Sequence, residues 1–224
     1  MNSAIVINEE RCIGCGLCVQ DCPGNAIVLR DHKAVAERPC ITCGHCVAVC
    51  PSGAVSIPDY DMAGVEAYQE DSFTVAPGNF LHAVKFRRSI RSYKDMPVSR
   101  DVLERIMEAG RYTATAKNAQ ACTFVAVQTR FQEFKELFWS EFPYILEALK
   151  ETKPEYVRAF TRFYEKWKKD PKADTFFFNA PCLLITAADN PLDGGLAAAN
   201  MENMAVAEGA GVLYSGYLQR TISV

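Results

Sequence analysis

Residues 12–27 read CIGCGLCVQDCPGNAI, and residues 40–55 read CITCGHCVAVCPSGAV. Aligned from Cys12 and Cys40, the two stretches match cysteine for cysteine, and Pro, Gly and Ala follow the last cysteine of each. Self-similarity at a fixed spacing means that one structural device is used twice. Eight of the chain's ten cysteines lie in these runs, while Cys122 and Cys182 stand alone. A disulfide framework belongs to small exported domains. The segment before Cys12 is too short for an export signal and carries the acidic pair Glu9 and Glu10. Metal ligation is therefore the natural reading of the eight, and the two isolated cysteines read as small packing residues.

Each run has the spacing C-x2-C-x2-C-x3-C-P. Three thiolates two residues apart wrap one iron–sulfur cube in a tight turn, and the fourth cysteine of such a run serves the other cluster. On that logic Cys12, Cys15, Cys18 and Cys50 form one ligand set, and Cys40, Cys43, Cys46 and Cys22 form the other. Gly14, Gly16 and Gly44 relieve crowding and free backbone N–H groups to face sulfur, while Pro23 and Pro51 turn the chain away after the fourth ligand. Zinc is the rival, but its sites pair two short C-x-x-C knuckles across a loop and do not use triplets followed by C-P. His45 sits between ligands and reads as a surface or packing residue. Throughout residues 1–58 the chain resembles the bacterial two-cluster ferredoxins, which implies a small domain holding two [4Fe–4S] clusters.

The rest of the chain is set by composition and pattern. Hydrophobic residues make up 49% of its 224 positions, charged residues 23%, and the formal charge is −3. These values exclude wholesale disorder and give no reason to expect nucleic acid as a partner. No run approaches the ~20 apolar residues of a membrane span, so a cytoplasmic protein is expected. Three zones follow: a cysteine-rich domain over 1–58, an acidic linker over 59–79, and an α+β domain over 80–224. In the last zone Phe80, Leu81, Val84 and Phe86 fall on one face of a helix ending near the RRSIRSY segment. Ser99 reads as the N-cap of a second helix with Val102, Leu103, Ile106 and Met107 on its buried face and Gly110 at its stop. Residues 123–128 and 182–187 read as buried strands, with a long aromatic helical segment over 131–178 between them. Residues 196–213 read as a helix rich in small residues.

Phe86-Arg87-Arg88-Ser89-Ile90-Arg91-Ser92-Tyr93 packs three arginines and two serines into eight residues. An arginine fork suits a phosphate dianion, although a solvated basic helix end has the same composition. The segment resembles the opening R-x-S-x-R/K motif of the nitroreductase family of FMN-dependent enzymes. A second stretch, residues 113–120 followed by a strand, is similar to that family's P-S-x-x-N-x-Q-P-W segment and keeps Asn118 and Gln120. A third, residues 200–216, resembles the family's alanine-rich helix, glycine turn and flavin-facing loop.

The resemblance implies that Arg87, Arg88, Ser89 and Arg91 contact the phosphate and ribityl chain of FMN. It places Asn118 and Gln120 at the flavin, and Ser215 and Gly216 near the isoalloxazine. Family members continue past this point with a further strand and a basic pair, so a sequence ending at Val224 reads as truncated. The rings at Phe131, Phe134, Phe138, Trp139, Phe142, Tyr144, Phe160, Phe163, Tyr164 and Trp167 recur at helical intervals, as a packed core requires. In the family, the insertion between these strands also covers the flavin. The fold class expected is thus a two-cluster ferredoxin-like domain followed by a nitroreductase-like α+β domain. The implied function is an iron–sulfur flavin oxidoreductase that passes electrons through two [4Fe–4S] clusters to FMN. The flavin then reduces a small organic acceptor such as a nitroaromatic, quinone or enone, with ferredoxin or NAD(P)H as donor and a homodimer as the assembly. The alternative is a ferredoxin-type carrier whose second domain docks a partner or senses flavin without catalysis.

Overall fold

The backbone carries the repeat as faithfully as the sequence does. Gly16 and Gly44, equivalent positions of the two runs, both adopt left-handed backbone (φ 76° and 79°) and each opens a short helix. The structure, a computed structural model, describes residues 4–222; the outermost residues of both expected domains, 1–3 and 223–224, lie outside the described residues. The chain divides into two units, Met1–Val75 with Thr115–Gln120, and Ala76–Ala114 with Ala121–Val224.

In the first unit the order is β1 (Val6–Ile7), α1 (Leu17–Gln20), β2 (Ile27–Arg30), β3 (Lys33–Ala36), α2 (His45–Ala48), β4 (Val55–Ser56) and α3 (Glu70–Phe73). Antiparallel pairing of β1 with β4 joins the start of the unit to the end of the second run, with Ile7 opposite Val55. β2 and β3 form a hairpin in which Arg30 faces Lys33. Its two-residue turn, Asp31 and His32, has positive φ at both positions, as a type I′ turn demands. The core is small: Ile5, Ala26, Ile27, Ala34, Ala54 and Val55 are buried together with Cys12, Cys18 and Cys46. Every residue from 63 to 80 is exposed, which is what an acidic segment with little apolar periodicity dictates.

Gly14 is required twice over. Its φ is +68°, and a Cβ there would run into the His32 backbone carbonyl. Gly14→Ala is therefore expected to destabilise the unit by about 1–3 kcal/mol. A thermal melt of the iron-loaded protein checks this, and an unchanged midpoint would count against the close approach.

The second unit runs α4 (Pro77–Phe86), α5 (Arg100–Arg111), β5 (Cys122–Val127), α6 (Phe131–Thr152), α7 (Pro154–Lys169), β6 (Leu183–Ala188), α8 (Pro191–Ala207) and α9 (Gly216–Ile222). β5 and β6 pair antiparallel from Cys122 opposite Ala188 to Val127 opposite Leu183. Ser99 caps α5 through a hydrogen bond from the Val102 N–H (3.4 Å). Leu103 and Ile106 are buried, but Gly110 is not the stop. It lies within the helix, where a Cβ would come within 3.0 Å of Met201 and Phe124 side-chain atoms. The glycine thus lets α5 approach α8 and β5 closely.

α8 begins earlier than the small-residue pattern suggested, capped by the Asn190 side chain, which accepts from Leu192 N–H (3.0 Å). It also stops earlier, at a Schellman turn. Ala210 N–H donates to Ala205 carbonyl (2.8 Å), Gly209 N–H donates to Val206 carbonyl (3.0 Å), and Gly209 has φ +75°. The aromatic segment forms two helices around a packed cluster in which Phe142, Leu149 and Phe160 are wholly enclosed. Trp139 stacks on Trp167 at 5.2 Å with nearly parallel planes. Burying each large apolar side chain contributes about 1.5–3 kcal/mol, so these rings hold α6 and α7 together.

Candidate cofactor sites

Two cavities open in the first unit, each lined by four thiols. One is lined by Cys12, Cys15, Cys18 and Cys50, with Gly14, Gly16 and Ser52 around them. The other is lined by Cys40, Cys43, Cys46 and Cys22, with Gly44 and His45. Their volumes are alike, ≈ 320 and ≈ 310 Å³ with the solvent-open side included, as the repeat requires.

Backbone donors point at the ligand sulfurs in repeat-related pairs. Ala26 N–H donates to Cys22 Sγ and Ala54 N–H to Cys50 Sγ, both at 3.2 Å. Thr42 N–H donates to Cys40 Sγ (3.2 Å), and Ala34 N–H reaches Cys12 Sγ (3.5 Å). Burial pushes the Cys18 thiol above its ordinary range, and the neighbouring thiolates Cys50, Cys12 and Cys15 push it further. Cys46 is pushed up to about 11 by burial and then by Cys40 and Cys43. Four thiolates sharing a cavity repel one another until cations neutralise them, and N–H groups aimed at sulfur favour the charged form. This donor set fits iron–sulfur ligation.

A single zinc ion fits worse. Zinc draws its thiolates to ≈ 2.3 Å from one centre, and among the described residues no three Cys, His, Asp or Glu side chains converge in that way. His45, at the rim of the second cavity, turns its ring to Asp21 at the surface (Nδ1 to Oδ2, 3.1 Å).

In the second unit the stretch over residues 87–91 lies against the one over 210–216. Ile90 N–H donates to Val212 carbonyl (3.0 Å), and Gly211 abuts Ile90 so closely that a Cβ would fall within 3.0 Å of three of its carbons. The arginines have unequal duties. Arg87 pairs with the buried carboxylate of Glu202 on α8 (3.2 Å). Tyr214 donates to Ala198 carbonyl (2.9 Å), and its phenol is pushed up to about 12 by burial and by the Glu202 charge. Arg88 folds back onto the Lys85 and Arg87 carbonyls, capping α4, and Arg91 rests 5.9 Å over the Phe178 ring. Arg91 also donates to the Ser89 carbonyl (3.3 Å), and neither Arg88 nor Arg91 has a carboxylate partner among the described residues. Ser89 is exposed. Ser215 Oγ accepts from Leu218 N–H (3.3 Å) at the start of α9, which Gly216 opens.

Asn118 and Gln120 fall in the first unit, where their side chains are engaged by residues 41, 42 and 60. Tyr60, Glu202 and Tyr214 complete these networks; Tyr214 belongs to the turn that resembles the family's flavin-facing loop, whereas Tyr60 and Glu202 carry no signal of their own in the sequence. Cys182 is half-buried, and burial pushes its thiol up to about 11, which suits packing and disfavours reactivity. Lys166, Lys168 and Lys169 form the basic last turn of α7, where Lys168 pairs with Glu165.

Paired cysteine cages on one unit and an arginine-rich, cap-rich surface on an α+β unit define a redox-type two-module chain. Residues 84–222 match the nitroreductase family and residues 4–51 match a 4Fe-4S dicluster domain; the chain belongs to the nitroreductase family and carries the dicluster domain at its N-terminal end. It is 27% identical over 143 residues to an NADPH-dependent oxidoreductase of Staphylococcus aureus (strain MRSA252), a match covering 62% of this chain and 54% of that protein. The chain thus spans about half the length of that curated relative. Among solved structures it is similar to an FMN-bound nitroreductase of Desulfitobacterium hafniense DCB-2 (20% identity, TM-score 0.49, 64% of this chain and 73% of that one). It is also similar to a BluB-like flavoprotein of Clostridium difficile 630 (20% identity, TM-score 0.44, 58% and 71%).

Proposed function

We propose that the chain is an iron–sulfur flavin oxidoreductase with two [4Fe–4S] clusters and FMN. It would reduce a small organic acceptor with electrons from a low-potential donor, either ferredoxin or NAD(P)H. The observation that carries this reading is the pair of equal cavities, each walled by three cysteines of one run and the fourth of the other. Bound clusters supply single electrons, and a bound flavin collects them and delivers pairs to the acceptor. The chain's own residues hold and tune these groups. Cys12, Cys15, Cys18 and Cys50 would ligate one cluster, and Cys40, Cys43, Cys46 and Cys22 the other.

On the second unit Arg88 and Arg91 would take the phosphate. Arg87, fixed by Glu202, would lend positive charge from a set position. Ser215 and Gly216 would present the start of α9 to the ring. The domains proposed are 1–58, a linker over 59–79, and 80–224. Phe80, Leu81, Val84 and Phe86 on α4 are all exposed, which supports a second copy as the partner of that face. Among the described residues no helix is long and apolar enough to cross a membrane.

Anaerobic purification followed by iron, sulfide and flavin analysis tests the reading: both clusters and releasable FMN are expected. Clusters without flavin would return the carrier interpretation. Charge-assisted hydrogen bonds contribute about 1.5–3 kcal/mol each. Arg88→Ala and Arg91→Ala are therefore each expected to weaken FMN binding by about tenfold, measured by fluorescence titration. Unchanged affinity in both would remove the phosphate assignment.

A further inference from the structure

The peptide joining Ile41 to Thr42 has two ends, and both are used. Its N–H donates to the sulfur of Cys40 (3.2 Å). Its carbonyl, on the opposite side of the same plane, accepts from the Asn118 carboxamide (3.0 Å). The second Asn118 amide bond goes to the neighbouring Thr42 carbonyl (3.1 Å), which also accepts from the Tyr60 hydroxyl (2.6 Å). Gln120 closes the ring, its carboxamide donating to both the Tyr60 oxygen and Asn118 Oδ1 (3.3 Å each). Both hydrogens and the oxygen of the Asn118 carboxamide are thereby spent within the first unit.

The backbone on each side of this contact is held in the left-handed region: Thr42 (φ 53°), Lys117 (φ 54°), Asn118 (φ 54°) and Gln120 (φ 50°), none of them glycine. Such residues persist only where the surroundings over-determine them. The loop is further closed by Gln120 N–H donating to Thr115 Oγ1 (2.9 Å). Among the described residues no carboxamide contacts the equivalent peptide of the first run; there the nearby cation is Lys33, whose ammonium donates to the Cys12 and Glu9 carbonyls (2.7 and 2.8 Å).

We infer that Asn118, braced by Gln120 and Tyr60, is a positioning residue for the sulfur of Cys40, and so tunes one of the two clusters and not the other. The inference rests on the cluster reading above. A donor on the carbonyl end of a peptide polarises it and strengthens the hydrogen bond at its N–H end. Hydrogen bonds to cluster sulfurs are among the levers that set the reduction potential, because they stabilise the added negative charge. The sequence motif that resembles a flavin contact thus serves the iron–sulfur module, on a segment (Thr115–Gln120) that interrupts the chain of the second unit.

The test is a potentiometric titration followed by electron paramagnetic resonance on the anaerobically reconstituted full chain. It compares the parent with Asn118→Ala, Tyr60→Phe and Lys33→Met. Asn118→Ala is expected to make reduction of one cluster less favourable by on the order of threefold, ~30 mV at 59 mV per decade, with the other cluster unmoved. Tyr60→Phe should shift the same midpoint in the same direction, and Lys33→Met the other one. Where Asn118→Ala fails to hold its clusters, Tyr60→Phe, which removes a single hydroxyl, decides the matter. Fully iron-loaded variants with both midpoints at parental values overturn the inference. So does loss of FMN from Asn118→Ala with the midpoints unmoved, which would make Asn118 a flavin ligand. A parent protein lacking cluster iron overturns the cluster reading, and this inference with it.

Discussion

Replacing Cys50 with alanine is expected to abolish the cluster of the first cysteine run while leaving that of the second, its own run, in place. The reason is spatial. Cys50 lies in the cavity of Cys12, Cys15 and Cys18, and its charge is among those that push up the Cys18 thiol. Cys22→Ala should do the reverse and empty the cavity of Cys40, Cys43 and Cys46. Each variant should lose about half of the iron, since one of two equal cubes goes. Cys15→Ala with Cys50→Ala should lose no more iron than either alone, whereas Cys22→Ala with Cys50→Ala should lose nearly all of it. Iron and sulfide per chain, read beside the resonance spectrum, separate these cases. If instead Cys15→Ala and Cys22→Ala behave as one site, the ligands are not crossed and the cavity linings have misled. Metal binding free energy is folding free energy in small sites of this kind, so each variant should also melt earlier in the first unit.

The cysteine module was legible because its chemistry is written in spacing. Tight turns need glycine at fixed offsets, ligands need fixed intervals, and the repeat copies both. β3 was not legible: KAVA is short, and the Asp31–His32 turn uses residues that rarely take two consecutive positive φ values. In the second unit β5 and β6 stood out as runs of β-branched and apolar residues, and Ser99 as a cap. Gly110 and the end of α8 were misread for a common reason. A glycine in a helical pattern signals either a stop or a close approach, and only the neighbours, Met201 and Phe124 for Gly110, decide between them. For α8 the small residues after Ala207 looked helical, yet Gly209 reverses the chain there. Pairings such as Arg87 with Glu202 lie beyond any local pattern, because residues far apart in the chain meet only after folding.

Asp174→Ala is expected to destabilise the second unit by about 3–5 kcal/mol, the usual cost of stripping one partner from a buried ion pair. Asp174 follows α7, and its side chain is 5% exposed; the Lys135 ammonium of α6 lies 3.0 Å from Oδ2 and is itself 15% exposed. Oδ1 accepts from the Phe177 and Phe176 N–H groups (2.8 and 3.3 Å), fixing the turn that delivers both rings to the core. Oδ2 has no well-aligned hydrogen-bond donor among the described residues, so the adjacent ammonium is what offsets its burial. Lys135 in turn sits over the rings of Phe131 (4.6 Å) and Phe177 (5.7 Å), an apolar setting that tolerates a cation only with a counter-charge. Removing the carboxylate strands the ammonium and frees two N–H groups at once. For a unit of this size the melting point should fall by roughly 6–20 °C. Asp174→Asn keeps an oxygen for the turn and should cost less, about 1–3 kcal/mol. Lys135→Met keeps the stem's packing but strands the carboxylate. The double variant Lys135→Met with Asp174→Ala should then be more stable than the sum of its parts, because neither charge is left alone. Strict additivity in that cycle, or an Asp174→Ala melt equal to the parent's, would mean that the pair is solvated and holds nothing together.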